Sequence, residues 1–337
     1  MADRKPQLFE QTSQYQHWRF TPSSLAKLRA ENNRLGVDRV LLGLQQEAQV
    51  DDQGASDTRI AEATDNLLTP AEELKLIGFY LQMIKFCAKV YMTSKLLKPE
   101  SLNNVKATAI NFMKRFYLHN VVFDYHPKNI MLTCLYLATK VENAFMKIDD
   151  FIRPLAAADA KSGSKTVTKS EDVLGLEFIV IQSLQFELAV HHPYRAAYGF
   201  YLDMQQYIED KDRLRDVYER TAHYIDQSLH TDLVFFYQPS QTALGAFKLA
   251  AKDKDFDIDL YLTQRFDARS LELLFLALDE IQDGITGFAQ ATKEDARLID
   301  RKLILCRNPE KNPNSVLYKK TVVAQGDVPY VSDSDSD

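Results

Sequence analysis

Apolar residues in the stretch 126–143, His-Pro-Lys-Asn-Ile-Met-Leu-Thr-Cys-Leu-Tyr-Leu-Ala-Thr-Lys-Val-Glu-Asn, fall on every face of a 3.6-residue helix rather than along one stripe. Ile130, Met131, Leu132, Cys134, Leu135, Leu137, Ala138 and Val141 carry the pattern. Pro127 fits the first helical position, where a missing N–H is no loss. A helix that is apolar all round is wrapped by other helices. This run is too short and interrupted to span a bilayer, which takes about 20 apolar residues. The pattern predicts a central core helix with one charge, Lys140, still inside its apolar run.

The same segment occurs twice. Sliding the chain by 112 residues sets 121–140 on 233–252 without a gap. Phe123, Tyr125 and Pro127 then match Phe235, Tyr237 and Pro239, while Leu132, Leu137, Ala138 and Lys140 match Leu244, Leu249, Ala250 and Lys252. So long a period is no solenoid repeat, whose units run to about 20–50 residues. It indicates two domains of one fold, with Leu132 and Leu244 in equivalent core positions.

Around these centres the hydrophobic pattern predicts helices throughout. Thr69-Pro70-Ala71-Glu72 is a capping box with proline at the first position. Leu74, Ile77, Leu81, Ile84 and Ala88 follow at helical spacing to about Met92. Pro99 opens a second helix with Val105, Ala109, Phe112 and Phe116 on one face. The central helix is third, Asp149–Leu155 a short fourth, 156–170 a loop, and Ser170–Phe186 a fifth, nearly apolar all round. His192-Pro193 begins the second unit, with five helices expected near 194–207, 210–229, 239–252, 258–264 and 268–285. Two flanking helices show single stripes: Leu25, Leu28 and Leu35 after Thr21-Pro22, and Ala296, Ile299, Leu303 and Cys306 over 292–306. Residues 1–16 and 45–66 lack periodicity and read as disordered. The resulting division is an N-terminal extension, 1–66, with a docking helix and an insertion; a first domain, 67–191; a second, 192–288; and a C-terminal helix with an acidic tail, 289–337.

Composition narrows the class. Gly 11 and Pro 11 are low and hydrophobic residues reach 45%, which favours an all-α fold with real cores. The net charge of -6 argues against nucleic-acid binding. Cys87, Cys134 and Cys306, an odd number in helical patterns, argue for a reducing compartment and against a disulfide frame or zinc site. No signal peptide, membrane span, nucleophile motif, phosphate loop or HExxH is expected. His191-His192 lacks a third ligand, and Asp149–Asp150 reads as a helix N-terminus rather than an acid/base dyad. Serines followed by acids in 332–337 suit an acid-directed kinase and equally a solubilising tail.

Lys140 and Glu177 are the candidate functional residues, since each is a charge in a run that otherwise reads as core. A lone buried charge costs several kcal/mol, so it is paired or reaches a surface. From the residues alone two readings stand. The charges pair with each other or snorkel to solvent at helix ends, or they face a binding partner. Lys252 repeats Lys140, but the corresponding fifth helix, Leu271–Leu276, has no clear counterpart to Glu177. Arg115, before Phe116, reads as a structural tie between helices, and Tyr125, His126 and Pro127 as helix-entry residues.

Phe112-Met-Lys-Arg-Phe-Tyr117, Leu135-Tyr-Leu-Ala-Thr-Lys-Val-Glu142 and Leu174-Gly-Leu-Glu-Phe-Ile-Val-Ile-Gln-Ser-Leu184 resemble the cyclin family, whose fold is two tandem five-helix boxes. Lys114–Leu118, Tyr125-His-Pro127, Ile130–Cys134, Pro193-Tyr-Arg195, Pro239-Ser-Gln241 and His17-Trp18 are similar to its cyclin H branch, and the 45–66 insertion to a fungal type. The likeness spans roughly 17–306. It implies a nuclear, non-catalytic regulatory subunit that needs no cofactor or metal. The expected partners are a cyclin-dependent kinase and a RING-finger assembly subunit, as in the CDK-activating kinase and the kinase module of TFIIH. That kinase acts on CDK activation loops and the RNA polymerase II C-terminal domain. Lys140 and Glu177 match the pair with which cyclins hold the kinase's regulatory helix. The rival reading is a DNA-binding two-box factor of the TFIIB type.

Overall fold

The computed structural model describes residues 8–50, 56–93, 96–162 and 168–325; the Ser-Asp tail lies outside them. In chain order the helices are α1 (Ser13–His17), α2 (Pro22–Val50), α3 (Ser56–Asp65), α4 (Pro70–Thr93), α5 (Pro99–Phe116), α6 (Pro127–Val141), α7 (Ile148–Ser162), α8 (Ser170–Ser183), α9 (Pro193–Met204), α10 (Lys211–Ser228), α11 (Leu233–Phe236), α12 (Pro239–Asp253), α13 (Asp259–Arg265), α14 (Ala268–Thr286), α15 (Lys293–Leu305) and α16 (Val316–Gln325). No strand occurs among the described residues. The chain divides into two compact units, one from 23–188 and 290–325, the other from 8–22 and 189–289.

In the first unit α6 is the centre. Every residue from Ile130 to Thr139 is buried, with α4, α5 and α8 packed around it. His126 caps its start, the ring Nδ1 accepting from the Lys128 N–H at 3.1 Å, and Pro127 takes the first position. Its end is a Schellman turn: Asn143 sits at φ 54, and the Ala144 N–H returns to the Thr139 carbonyl at 2.8 Å. Around it, α4 opens with the expected capping box, Thr69 N–H to Glu72 Oε2 at 2.9 Å and Glu72 N–H to Thr69 Oγ1 at 3.3 Å. Leu74, expected on the buried face of α4, is exposed. In α5 burial extends beyond the predicted face to every residue from 105 to 116, and to the two residues that follow the helix. Arg115 is among them; it donates to the Glu187 carbonyl at 3.2 Å, tying α5 to the chain after α8, and burial pushes its pKa down to about 10.

The N-terminal flanking helix departs from its predicted stripe, and the C-terminal one keeps to it. In α2 the buried positions are Leu25, Asn33, Gly36, Val40, Gly43, Leu44 and Glu47, whereas Leu35 is 42% exposed. The polar members are buried because they are bonded. Asn33 Nδ2 donates to the Leu68 carbonyl at 3.0 Å and to Glu73 at 2.8 Å, and Glu47 accepts from the Val316 N–H at 2.8 Å. Residues 45–50 continue α2 and 56–65 form α3, which corrects the expectation of disorder there. α15 docks on α4 through Lys75–Asp295 (2.8 Å) and Lys302–Glu72 (2.6 Å), with Ala296, Ile299, Leu303 and Cys306 buried as expected. α7 runs on to Ser162, so part of the predicted 156–170 loop is helical.

The second unit repeats the arrangement around α12. Both central helices have 15 residues and are displaced by the same 112 positions as the sequence match. The repeat extends past the helix. Asp255, at φ 49, matches Asn143, and the Phe256 N–H returns to the Ala251 carbonyl at 2.9 Å. Leu132 and Leu244 are both 2% exposed. Gly245 lets α14 close on α12; a Cβ there would fall 2.5 Å from Ile281 Cγ2. The N-terminal segment, predicted disordered, is ordered from residue 8 and belongs to this unit. The Gln14 amide brackets His191, donating to its carbonyl at 3.2 Å and accepting from its N–H at 2.7 Å. Trp18 is buried, and the Phe20 N–H donates to the Phe235 carbonyl at 2.9 Å.

Candidate functional site

Lys140 lies in the last turn of α6 and Glu177 at mid-length on α8. Because α6 and α8 pack side by side, the two charges, 37 residues apart in sequence, meet as a direct ion pair. The pair is neither core nor surface: the side chains are 32% and 18% exposed. Behind Lys140 stands a buried ring. Its ammonium lies over Tyr136, 4.4 Å from the centroid, one helical turn back. The neighbouring acid, Glu142, accepts from Thr108 Oγ1 of α5 at 2.6 Å and so ties helices.

On the helix that carries Glu177, apolar side chains are left bare. The pattern on α8 predicted a helix wrapped on all sides, yet only Val173 and Val180 in the helix and Leu184 at its cap are buried. On the face that carries Glu177, Leu174 is exposed and Phe178 is 65% exposed; beyond the helix Phe186 is 64% exposed, its ring 6.4 Å from that of Phe178. Phe145, just past the end of α6, is 65% exposed. Hydrophobic periodicity marked Phe178 as core because it registers apolar character, not what covers it. A cavity of about 360 Å³ on another side of α8, lined by Gly175, Leu176 and Ile179, does not include either charge. The site is therefore an apolar surface with a half-sheltered ion pair set in it, suited to an extended or helical partner. Removing one member of such a desolvated set typically costs about 2–5 kcal/mol.

The second unit has no such pair at the matching position; the central-helix lysine that pairs there is Lys248, one turn earlier, with Asp259 at 3.6 Å. Lys252 ends α12 as Lys140 ends α6, but it is exposed and, among the described residues, has no ion-pair partner. The other sequence candidates are structural. His126 Nε2 lies 3.1 Å from Asp300 of α15, and Asp150 pairs with Arg153 at 2.6 Å in the first turn of α7. His191 is held by Gln14 and by the edge of Phe9. Among the described residues no helix is long and apolar enough to cross a membrane.

The architecture is an all-helical pair of repeated units, each built on a buried central helix. Sequence profiles agree: the cyclin N-terminal domain matches residues 83–189 and the cyclin C-terminal domain residues 192–291. This chain belongs to the cyclin family. It is 33% identical to cyclin CCL1 of Saccharomyces cerevisiae, over 78% of this chain and 62% of that protein's length. To cyclin mcs2 of Schizosaccharomyces pombe it is 30% identical, over 93% of this chain and 89% of the relative. A chain in the CAK complex of Chaetomium thermophilum bound to ATP-gamma-S superposes with a TM-score of 0.74 at 26% identity, covering 98% of both chains. A chain of the yeast TFIIK (Kin28/Ccl1/Tfb3) complex gives 0.58 at 28% identity, over 82% of this chain and 99% of that one.

Proposed function

We propose that this cyclin is the regulatory subunit of a CDK-activating kinase that also serves as the kinase module of TFIIH, and that it engages its kinase through Lys140 and Glu177. The observation that carries the reading is the exposed apolar side chains, Leu174 and Phe178, on the same face of α8 as Glu177; Lys140 and Glu177 pair with each other there, and the repeat-matched Lys252 of the second box has no such partner among the described residues. The resemblance to CAK and TFIIK cyclins supports the class of partner. The chain performs no catalysis itself. Docking holds the regulatory helix of the kinase so that its glutamate meets the catalytic lysine, which supports phosphorylation of CDK activation loops and of the polymerase C-terminal domain. A RING-finger assembly subunit as third member and a nuclear location follow from the same reading; the TFIIK complex contains Tfb3 as its third chain. The comparisons do not favour a DNA-binding role of the TFIIB type.

The test is co-purification and activity of the kinase with Lys140→Ala, Glu177→Ala and the repeat-matched Lys252→Ala, each checked for folding by circular dichroism. The first two weaken binding at least tenfold, because tenfold corresponds to only about 1.4 kcal/mol, and Lys252→Ala leaves it intact. Parental binding by folded Lys140→Ala and Glu177→Ala would show the docking site to be elsewhere.

A further inference from the structure

A lysine stem has four rotatable bonds, and a half-exposed lysine ordinarily samples many postures. Lys140 is held on two sides, by the Glu177 carboxylate and by the Tyr136 ring 4.4 Å away. Tyr136 is itself immobilised. It is 4% exposed and packs against Phe151, ring centroids 5.2 Å apart. Phe151 in turn stacks on Tyr91 at 4.9 Å, and the Tyr91 hydroxyl donates to the Phe151 carbonyl at 2.9 Å. Three rings from α4, α6 and α7 thus form a fixed back wall behind one ammonium. The second box supplies an internal comparison. Moving 112 residues along, the place of Tyr136 is taken by Lys248, whose ammonium lies over Phe275 at 4.2 Å, and Lys252 has no ring one turn back. In the second box a ring and an acid, Phe275 and, at 3.6 Å, Asp259, meet one turn earlier, at Lys248, and not at the repeat-matched Lys252.

We infer that Tyr136 is a positioning residue for kinase docking: its ring face holds the Lys140 ammonium in the one posture that the kinase meets. This rests on the assignment of Lys140 and Glu177 to that interface. The attraction is between a cation and the negative face of the ring, so it depends on the electrons of the ring and not on the hydroxyl. A packing role depends on volume alone.

The affinity of the full-length chain for its isolated kinase subunit, read by biolayer interferometry, separates the two. Tyr136→Phe keeps the ring and binds within twofold of the parent. Tyr136→Leu removes it and weakens binding about threefold to tenfold, the scale of a partly desolvated cation–ring contact. In a Lys140→Ala background the same change has no further effect. Should Tyr136→Leu fail to fold, phenylalanines bearing one and then three ring fluorines at position 136 keep the volume while draining the ring face, and affinity falls stepwise along that series. Parental binding by Tyr136→Leu, a flat fluorine series, or a loss that persists without Lys140 would each overturn the inference. Lys140→Ala binding as the parent does would instead overturn the docking assignment on which it rests.

Discussion

Gly245→Ala sets two opposing terms against each other, and the structure decides which prevails. Alanine in a helix interior is favoured over glycine by about 0.8–1.0 kcal/mol. At position 245 the new methyl would lie 2.5 Å from Ile281 Cγ2 and 3.0 Å from Ile281 Cβ. Both distances are far inside van der Waals contact. Ile281 is fully buried in α14, and a β-branched side chain in a helix has one strongly preferred rotamer. It has nowhere to rotate, so α12 and α14 must separate. Overpacking of this kind costs about 1–3 kcal/mol, and a rigid obstacle places it at the upper end, leaving a net loss of about 2 kcal/mol. Gly199, mid-way along α9, has nothing within 4 Å of the place a methyl would take, so Gly199→Ala should gain up to about 1 kcal/mol. Urea unfolding followed by circular dichroism measures both as shifts in midpoint at constant slope. Combining Gly245→Ala with Ile281→Ala should give less than the sum of the single losses, since the cavity of one admits the methyl of the other. If Gly245→Ala is as stable as the parent, or additive with Ile281→Ala, the close approach is not what shapes this helix pair.

Leu132→Ala and Leu244→Ala should each cost about 2–5 kcal/mol in urea unfolding, the usual range for a buried leucine, and a loss below about 1 kcal/mol at either would remove that helix from the core. Asp295 is predicted to give α15 docking an acid limit. Its hydrogen bonds from Lys75 and Thr292 hold its carboxyl down to about 2, against about 3.8 when unfolded. A depressed carboxylate stabilises above its unfolded pKa and loses that contribution as pH falls through the folded value. The stability difference between parent and Asp295→Asn should therefore be constant above about pH 4.5 and shrink toward about pH 2; a difference independent of pH would refute the linkage.

The features legible in the sequence are those whose causes are local. Proline at a first helical turn, the Thr69–Glu72 capping box and the 112-residue repeat each lie within one segment or a pair of matching ones. The buried stripe of α2 was not legible. Its polar members are satisfied by partners far along the chain, Glu73 for Asn33 and Val316 for Glu47, and its glycines are chosen for close approach. Lys140 and Glu177 stood out as charges in apolar runs, and the structure joins them. Phe145, Phe178 and Phe186 were hidden for the opposite reason: an apolar side chain reads the same whether its own fold or another molecule is to cover it.

Neither compact unit is made from one continuous stretch of chain, and this bears on how the protein is made. The second box keeps Trp18 and the Gln14 bracket from a segment synthesised about 170 residues before its own first helix. The first box is finished by α15, which is translated only after all of the second. At about 5–20 residues per second the early segment waits some ten to thirty seconds for its seat. A nascent chain halted at the junction between the boxes would therefore hold a first box lacking its C-terminal brace and an N-terminal strap with nothing to grip. Synthesis in chain order completes the second body once residues up to 289 have emerged, and the first only after α15 has followed.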